Sequence, residues 1–246
     1  MFKGTTMAFG SDRRYMSAAQ AEAAQIDVGL RQYMLSVYNY MASALALTGI
    51  VAWVIASVPA LTAIAVYSPL KWVFMLAPLG LVFFMGAKID SMRASTASTL
   101  FWVYAGLMGA SLASVFLVFT GASVARVFFV TAAAFAGLSL YGYTTKKDLS
   151  GFGSFLIMGV WGLMIAGIVN IFLQSPMMHF VMSAAGVLIF AGLTAYDTQN
   201  IKQMYWEGDH SEVAQKKAVF GALQLYMDFI NLFMFLLQFM GVRRDD

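Results

Sequence analysis

The chain contains no cysteine, which removes disulfides, thiolate metal sites and cysteine nucleophiles at once. Histidine is nearly absent too: His179 and His210 lie far apart in the sequence, which argues against a histidine-held metal. Charge is scarce. Only 11% of the residues are Asp, Glu, Lys or Arg, less than half the roughly 25% of an ordinary soluble domain, so nothing here could build a sizeable aqueous domain. A phosphate-cradling loop is missing as well, because Gly151-Phe152-Gly153-Ser154 leads into an apolar run without the lysine such a loop supplies. No internal repeat or low-complexity segment is visible, and an inverted-repeat transporter therefore gains no support.

What is abundant is apolar. Hydrophobic residues make up 61% of the chain, and the mean hydropathy is +0.75. With spans of about 20 residues each, these proportions predict an all-α integral membrane protein with seven transmembrane helices, at 33–57, 72–87, 99–119, 123–143, 152–173, 177–197 and 218–240. Residues 1–31 read as a polar cytoplasmic tail with an alanine-rich surface helix, and 32–246 as one seven-helix domain. The first apolar run exceeds the roughly 7–15 residues of a signal-peptide core, and no apolar run closely follows Arg13-Arg14, so neither a cleavable signal nor a twin-arginine signal is expected. Pro78 and Gly80 weaken the second span, while Gly106, Gly109, Ala110 and Ser111 give the third a small-residue surface suited to close packing.

Charge in the connections sets the orientation. Seven spans place Lys71, Arg126, Arg243 and Arg244 on one side and the other eleven Lys and Arg residues on the opposite side. The excess marks the cytoplasmic face, so the amino terminus is expected inside and the carboxyl terminus outside. The net charge of +3 is scattered through short loops and does not suggest nucleic-acid binding.

The residue that most needs explaining is Asp228, in the middle of the last apolar run. An acid at such a depth costs about 2.5–3.5 kcal/mol on insertion scales and usually marks function. Gln224 and Asn231 share its helix face at spacings of four and three. A second acid, Asp197, closes the sixth span; alone it could snorkel into water, but the two carboxylates are expected to meet. Two carboxylates close together in low dielectric cannot both ionise cheaply, so they share a proton. Such a pair is a pH-sensitive cation site. Calcium wants 6–8 oxygens, and Asp197, Asp228, Asn231, a tyrosine hydroxyl, carbonyls and waters would bind it weakly, which suits transit. Lys88, at the end of the second span, is the first candidate for a gating counter-charge and Arg93 the second, although both also read as plain cytoplasmic-side positive residues.

Three stretches carry a resemblance: Tyr196-Asp-Thr-Gln199, Leu225-Tyr-Met-Asp-Phe-Ile-Asn-Leu-Phe233, and Tyr143-Thr-Thr-Lys-Lys-Asp-Leu-Ser-Gly-Phe-Gly153. Together they resemble the Bax inhibitor-1, or transmembrane Bax inhibitor motif, family, in particular its bacterial inner-membrane branch. The resemblance implies six helices surrounding a central seventh and a pH-sensitive calcium leak gated by an aspartate pair, which falls on Asp197 and Asp228. It also implies an arginine at the end of the second helix that locks the pair; here Lys88 stands nearest, a point charge rather than a bidentate fork, so the lock is weaker or rests on Arg93. The expected partners are the lipid bilayer, calcium ions and protons, with no cofactor. Two other classes compete. Intramembrane aspartyl proteases share a Tyr-Asp motif, but Leu-Tyr-Met precedes Asp228 where their glycines should stand, so no enzyme is expected. A non-transporting regulator that binds another membrane protein is the remaining reading.

Overall fold

In hydrocarbon a backbone has no water to bond, so long apolar runs must satisfy their own polar groups as helices. The computed structural model describes residues 18–89 and 91–244, with side-chain surroundings from residue 28 onward. Among the described residues it is all helical, apart from an isolated bridge between Phe119 and Arg243. The helices are α1 (Ala18–Ser57), the short α2 (Pro59–Thr62), a π-helical turn (Ala63–Tyr67), α3 (Lys71–Lys88), α4 (Ala94–Leu112), the short α5 (Val115–Val118), α6 (Gly121–Thr144), α7 (Ser150–Leu173), α8 (Pro176–Gln203) and α9 (Ser211–Met240). Seven segments are long and apolar enough to cross a membrane, α4 and α5 together forming one of them.

Most spans extend beyond the stretches expected from hydropathy, because polar residues continue a helix past the apolar run. Helix α1 passes without a break through the boundary expected at 31–32, so the alanine-rich stretch from Ala18 continues into the first span; residues 1–17 of that tail lie outside the described residues. Helix α8 runs six residues past Asp197, to Gln203, which puts that acid inside the helix rather than at its end. Helix α3 is unbroken across Pro78, whose side chain is buried.

Burial is uneven. In the most apolar stretch of α9, 61% of the residues are buried, against 39% for α4–α5 and 6% for α7. Helix α9 packs against α8, α1, α6 and α4, whereas α3 packs chiefly on α4, and α7 on α8. The distribution of polarity follows: the most lipid-exposed helix, α7, is the most apolar, and the most buried helix carries the mid-span acid. Small residues allow the close crossings. Gly109 of α4 lies against the backbone of α1, where an added Cβ would come within 2.7 Å of the Thr48 carbonyl oxygen. Beside it the Thr48 hydroxyl donates to the Ala105 carbonyl at 2.9 Å and accepts from the Tyr226 hydroxyl at 2.7 Å, joining α1, α4 and α9. Phe101 and Tyr104 meet the Tyr226 ring edge-on at 6.2 and 5.4 Å.

Gly142 makes the tightest crossing between α6 and α8, since a Cβ there would overlap the Ala195 carbonyl oxygen. Gly137, nearly a turn and a half earlier on α6, faces open space. Overpacking a fitted contact costs roughly 1–3 kcal/mol, so Gly142→Ala is expected to lower the thermal midpoint of the purified protein in detergent by several degrees, with Gly137→Ala as the matched control. Equal midpoints for the two variants would show that the α6–α8 crossing is not tight.

Candidate functional site

The last two turns of α8 pass through the most crowded part of the bundle. The Ala195 carbonyl faces Gly142 of α6, and the Tyr196 ring lies where a Cβ on Gly153 of α7 would stand. Ile201 packs against Gly221 of α9, 2.9 Å from the position of an added Cβ. With glycine on each of three neighbours, this segment is held between α6, α7 and α9, and Asp197 lies within it.

Asp197 and Asp228 come within hydrogen-bonding reach of each other, α8 against α9. Asp228 is only 4% exposed; Asp197 is half-buried. Two ionised carboxylates offer acceptors and no donor. Asp228 Oδ2 is buried with no hydrogen-bond partner, and so is Gln224 Oε1, one helical turn away on the same helix. Asn231 contributes less than its spacing suggests: its Nδ2 donates to the Met227 carbonyl of its own helix at 2.8 Å. Among the described residues no third histidine, cysteine or acid joins the pair to make a metal-binding cluster.

The candidate counter-charges lie elsewhere. Lys88 and Arg93 are both exposed, and no ion pair connects either to an aspartate of the site. The cause is architectural. Lys88 ends α3 and Arg93 precedes α4, and α3 packs on α4 rather than on α8 or α9. The ion pair among the described residues is Lys217–Asp209, at 2.5 Å, at the start of α9.

A chain of hydroxyls adjoins Asp197. Thr198 Oγ1 donates to the Thr194 carbonyl at 2.7 Å, so at 2.9 Å it must accept from Ser139, which in turn accepts from Tyr38 at 2.6 Å. These groups connect α1, α6 and α8 beside the site. Sequence reasoning missed Tyr38 and Ser139, because single hydroxyls inside apolar runs carry no pattern; Thr198 was within reach as part of the Tyr196–Gln199 stretch.

The next residues bring two conspicuous sequence stretches together. Gln199 accepts from the Leu149 amide at 2.9 Å and donates to the Lys147 carbonyl at 2.8 Å. Lys202 Nζ donates to the Tyr143 carbonyl at 2.8 Å and lies 4.9 Å from the centre of the Tyr143 ring. The α6–α7 connection is thus fastened to the end of α8. Within it Asp148 accepts from the Ser150 amide at 2.9 Å, and the hydrogen bonds from Ser150 hold its carboxyl below the usual carboxylate range.

Relatives place this arrangement in a family. A family model described as "Inhibitor of apoptosis-promoting Bax1" matches residues 30–245. An uncharacterized protein of Caulobacter vibrioides is 49% identical over 247 residues, covering 95% of this chain and 98% of its own length. Inner membrane protein YbhL of Escherichia coli is 42% identical over 219 residues, covering 88% and 94%. Uncharacterized protein RP147 of Rickettsia prowazekii is 49% identical over 221 residues, covering 89% and 93%. The seven spans and the stretches joined at Asp197 therefore belong to a member of the Bax inhibitor-1 family.

Proposed function

We propose that this protein is a pH-sensitive calcium leak channel of the bacterial inner membrane, gated by a proton shared between Asp197 and Asp228. One observation carries the reading: two carboxyl groups from neighbouring helices meet inside an apolar bundle, and one oxygen of the more buried acid has no donor. A proton supplies that donor, bonding the carboxyls to each other and closing the gap between α8 and α9. A cation passing through supplies the same neutralisation from outside. Gln224 Oε1, unpartnered one turn away, offers the next oxygen along the same face. With only two carboxylates and no third acid or histidine among the described residues, calcium would be held far below its preferred 6–8 oxygens. Weak coordination of this kind favours release over storage.

The leak reading draws further support from what the sequence resemblance to the Bax inhibitor-1 family implies, and the name of the Escherichia coli relative, an inner membrane protein, supports the inner-membrane location. The proposed orientation follows the charge of the connections, with the Lys146–Lys147 loop and the Lys202, Lys216 and Lys217 connection in the cytoplasm. In the conformation described, neither Lys88 nor Arg93 neutralises the pair, so the proton itself is assigned as the lock.

Purified protein reconstituted in calcium-loaded liposomes tests this. Flux is expected to differ by at least threefold between about pH 5 and pH 8, read by a calcium-sensitive dye outside the liposomes whose signal a chelator abolishes. Asp228→Asn, which removes one titrating partner while keeping shape, is expected to flatten that dependence, and Asp197→Asn to do the same. No flux at any pH in this window would remove the channel reading in favour of a membrane regulator. Unchanged pH dependence in both variants would place the gate elsewhere. Lys88→Ala is expected to leave the pH dependence within about twofold of wild type, measured in the same liposomes.

A further inference from the structure

A polar cavity of about 490 Å³ lies away from the aspartate pair, between the first turns of the α1 span and the α8–α9 connection. Its walls include Tyr33, Tyr205, Trp206, Glu207, Asp209 and Gln215. The proposed leak uses none of them. Tyr33 is 7% exposed, and its hydroxyl is buried without a hydrogen-bond partner. Its ring stands 5.7 Å from that of Tyr205, and Tyr205 is seated by Gly29, where any Cβ would overlap its hydroxyl. The acids differ in state. Asp209 is already paired with Lys217 at 2.5 Å, while Glu207 is exposed and has no ion pair among the described residues.

We propose that this cavity binds a primary ammonium group, as carried by free ethanolamine or by an aminoethyl phospholipid headgroup. Three features of the wall select that chemistry. The lining residues carry an uncompensated negative charge at Glu207, which calls for a cation. Tyr205 and Trp206 line the cavity, and aromatic rings attract organic cations through their quadrupoles. The orphaned Tyr33 hydroxyl and the carboxylate oxygens call for several N–H donors on one small group. Calcium fits less well, because one of the two carboxylates lining the cavity is committed to Lys217 and no third acid joins them among the described residues. A quaternary ammonium has the charge but no N–H to give the phenol. Trp206, 67% exposed, lies in the connection where α8 and α9 leave the apolar layer, a depth at which Trp and Tyr commonly sit among headgroups. Belt residues alone do not account for a buried, unpartnered phenol.

Tryptophan emission reports the site, taken as the difference between wild type and Trp206→Phe. The protein is placed in nanodiscs of phosphatidylglycerol and titrated with ethanolamine or choline; a second set of nanodiscs contains phosphatidylethanolamine. A saturable response to ethanolamine is expected, with choline at least fivefold weaker. Glu207→Gln, on an exposed side chain, is expected to weaken ethanolamine at least fivefold with an unchanged thermal midpoint, and Tyr33→Phe to weaken it severalfold. A response that appears only with phosphatidylethanolamine, and that Glu207→Gln abolishes, supports the site and identifies the lipid as the source. No response in either set, equal binding of choline, or ethanolamine affinity unaltered by Glu207→Gln would overturn the proposal. Calcium flux at the aspartate pair is read separately, so the two proposals fail independently.

Discussion

Two carboxyl groups facing each other inside an oily bundle are the constraint on which the rest of the structure turns. Asp228 stands near the middle of the most buried helix, where an unmatched charge is expensive, and what faces it is a second acid rather than a base. The bundle is arranged to keep them together. Glycines on α6, α7 and α9 let the Ala195–Ile201 stretch of α8 approach three helices at once, and Gln199 and Lys202 fasten its end to the α6–α7 connection. A pair held this firmly cannot relieve its repulsion by drifting apart, which makes protonation or cation entry the remaining route in the proposed mechanism.

That reading changes the part played by fixed positive charge. Lys88 and Arg93 belong to the α3–α4 corner, exposed and on the side of α4 that carries α3. The positive charge closest along the chain, Lys202, is occupied with the Tyr143 carbonyl and ring. In the proposed mechanism neutralisation of the pair is therefore left to mobile species, protons or cations, rather than to a fixed base.

Much of the fold could be read in advance, because a lipid solvent imposes a simple rule. Seven apolar runs were visible, and seven spanning helices are present. Their ends were less legible: α8 and α9 extend through Gln203 and back to Ser211 on polar residues that hydropathy discounts. Asp228 stood out because charge in a long apolar run has no trivial explanation, and Asp197 because it closes the sixth apolar run and falls in a stretch that carries the family resemblance. Asn231 shares the face of Asp228, yet its amide turns back to Met227, a rotamer choice that spacing alone does not reveal. The Tyr38–Ser139–Thr198 chain and the Tyr33 cavity are assembled from residues far apart in the sequence, and only the packing of α6 on α8 and of α1 beside the later helices brings them together.

The central proposal is that Asp197 and Asp228 hold one proton between them, and infrared spectroscopy of protein labelled with carbon-13 at the aspartate carboxyls tests it most directly. The account predicts one protonated buried carboxyl per chain at neutral pH, exchanging slowly with deuterated solvent, with a band that shifts when either Asp197 or Asp228 is replaced by asparagine. Fully ionised aspartates at neutral pH, or a protonated band indifferent to both substitutions, would contradict it.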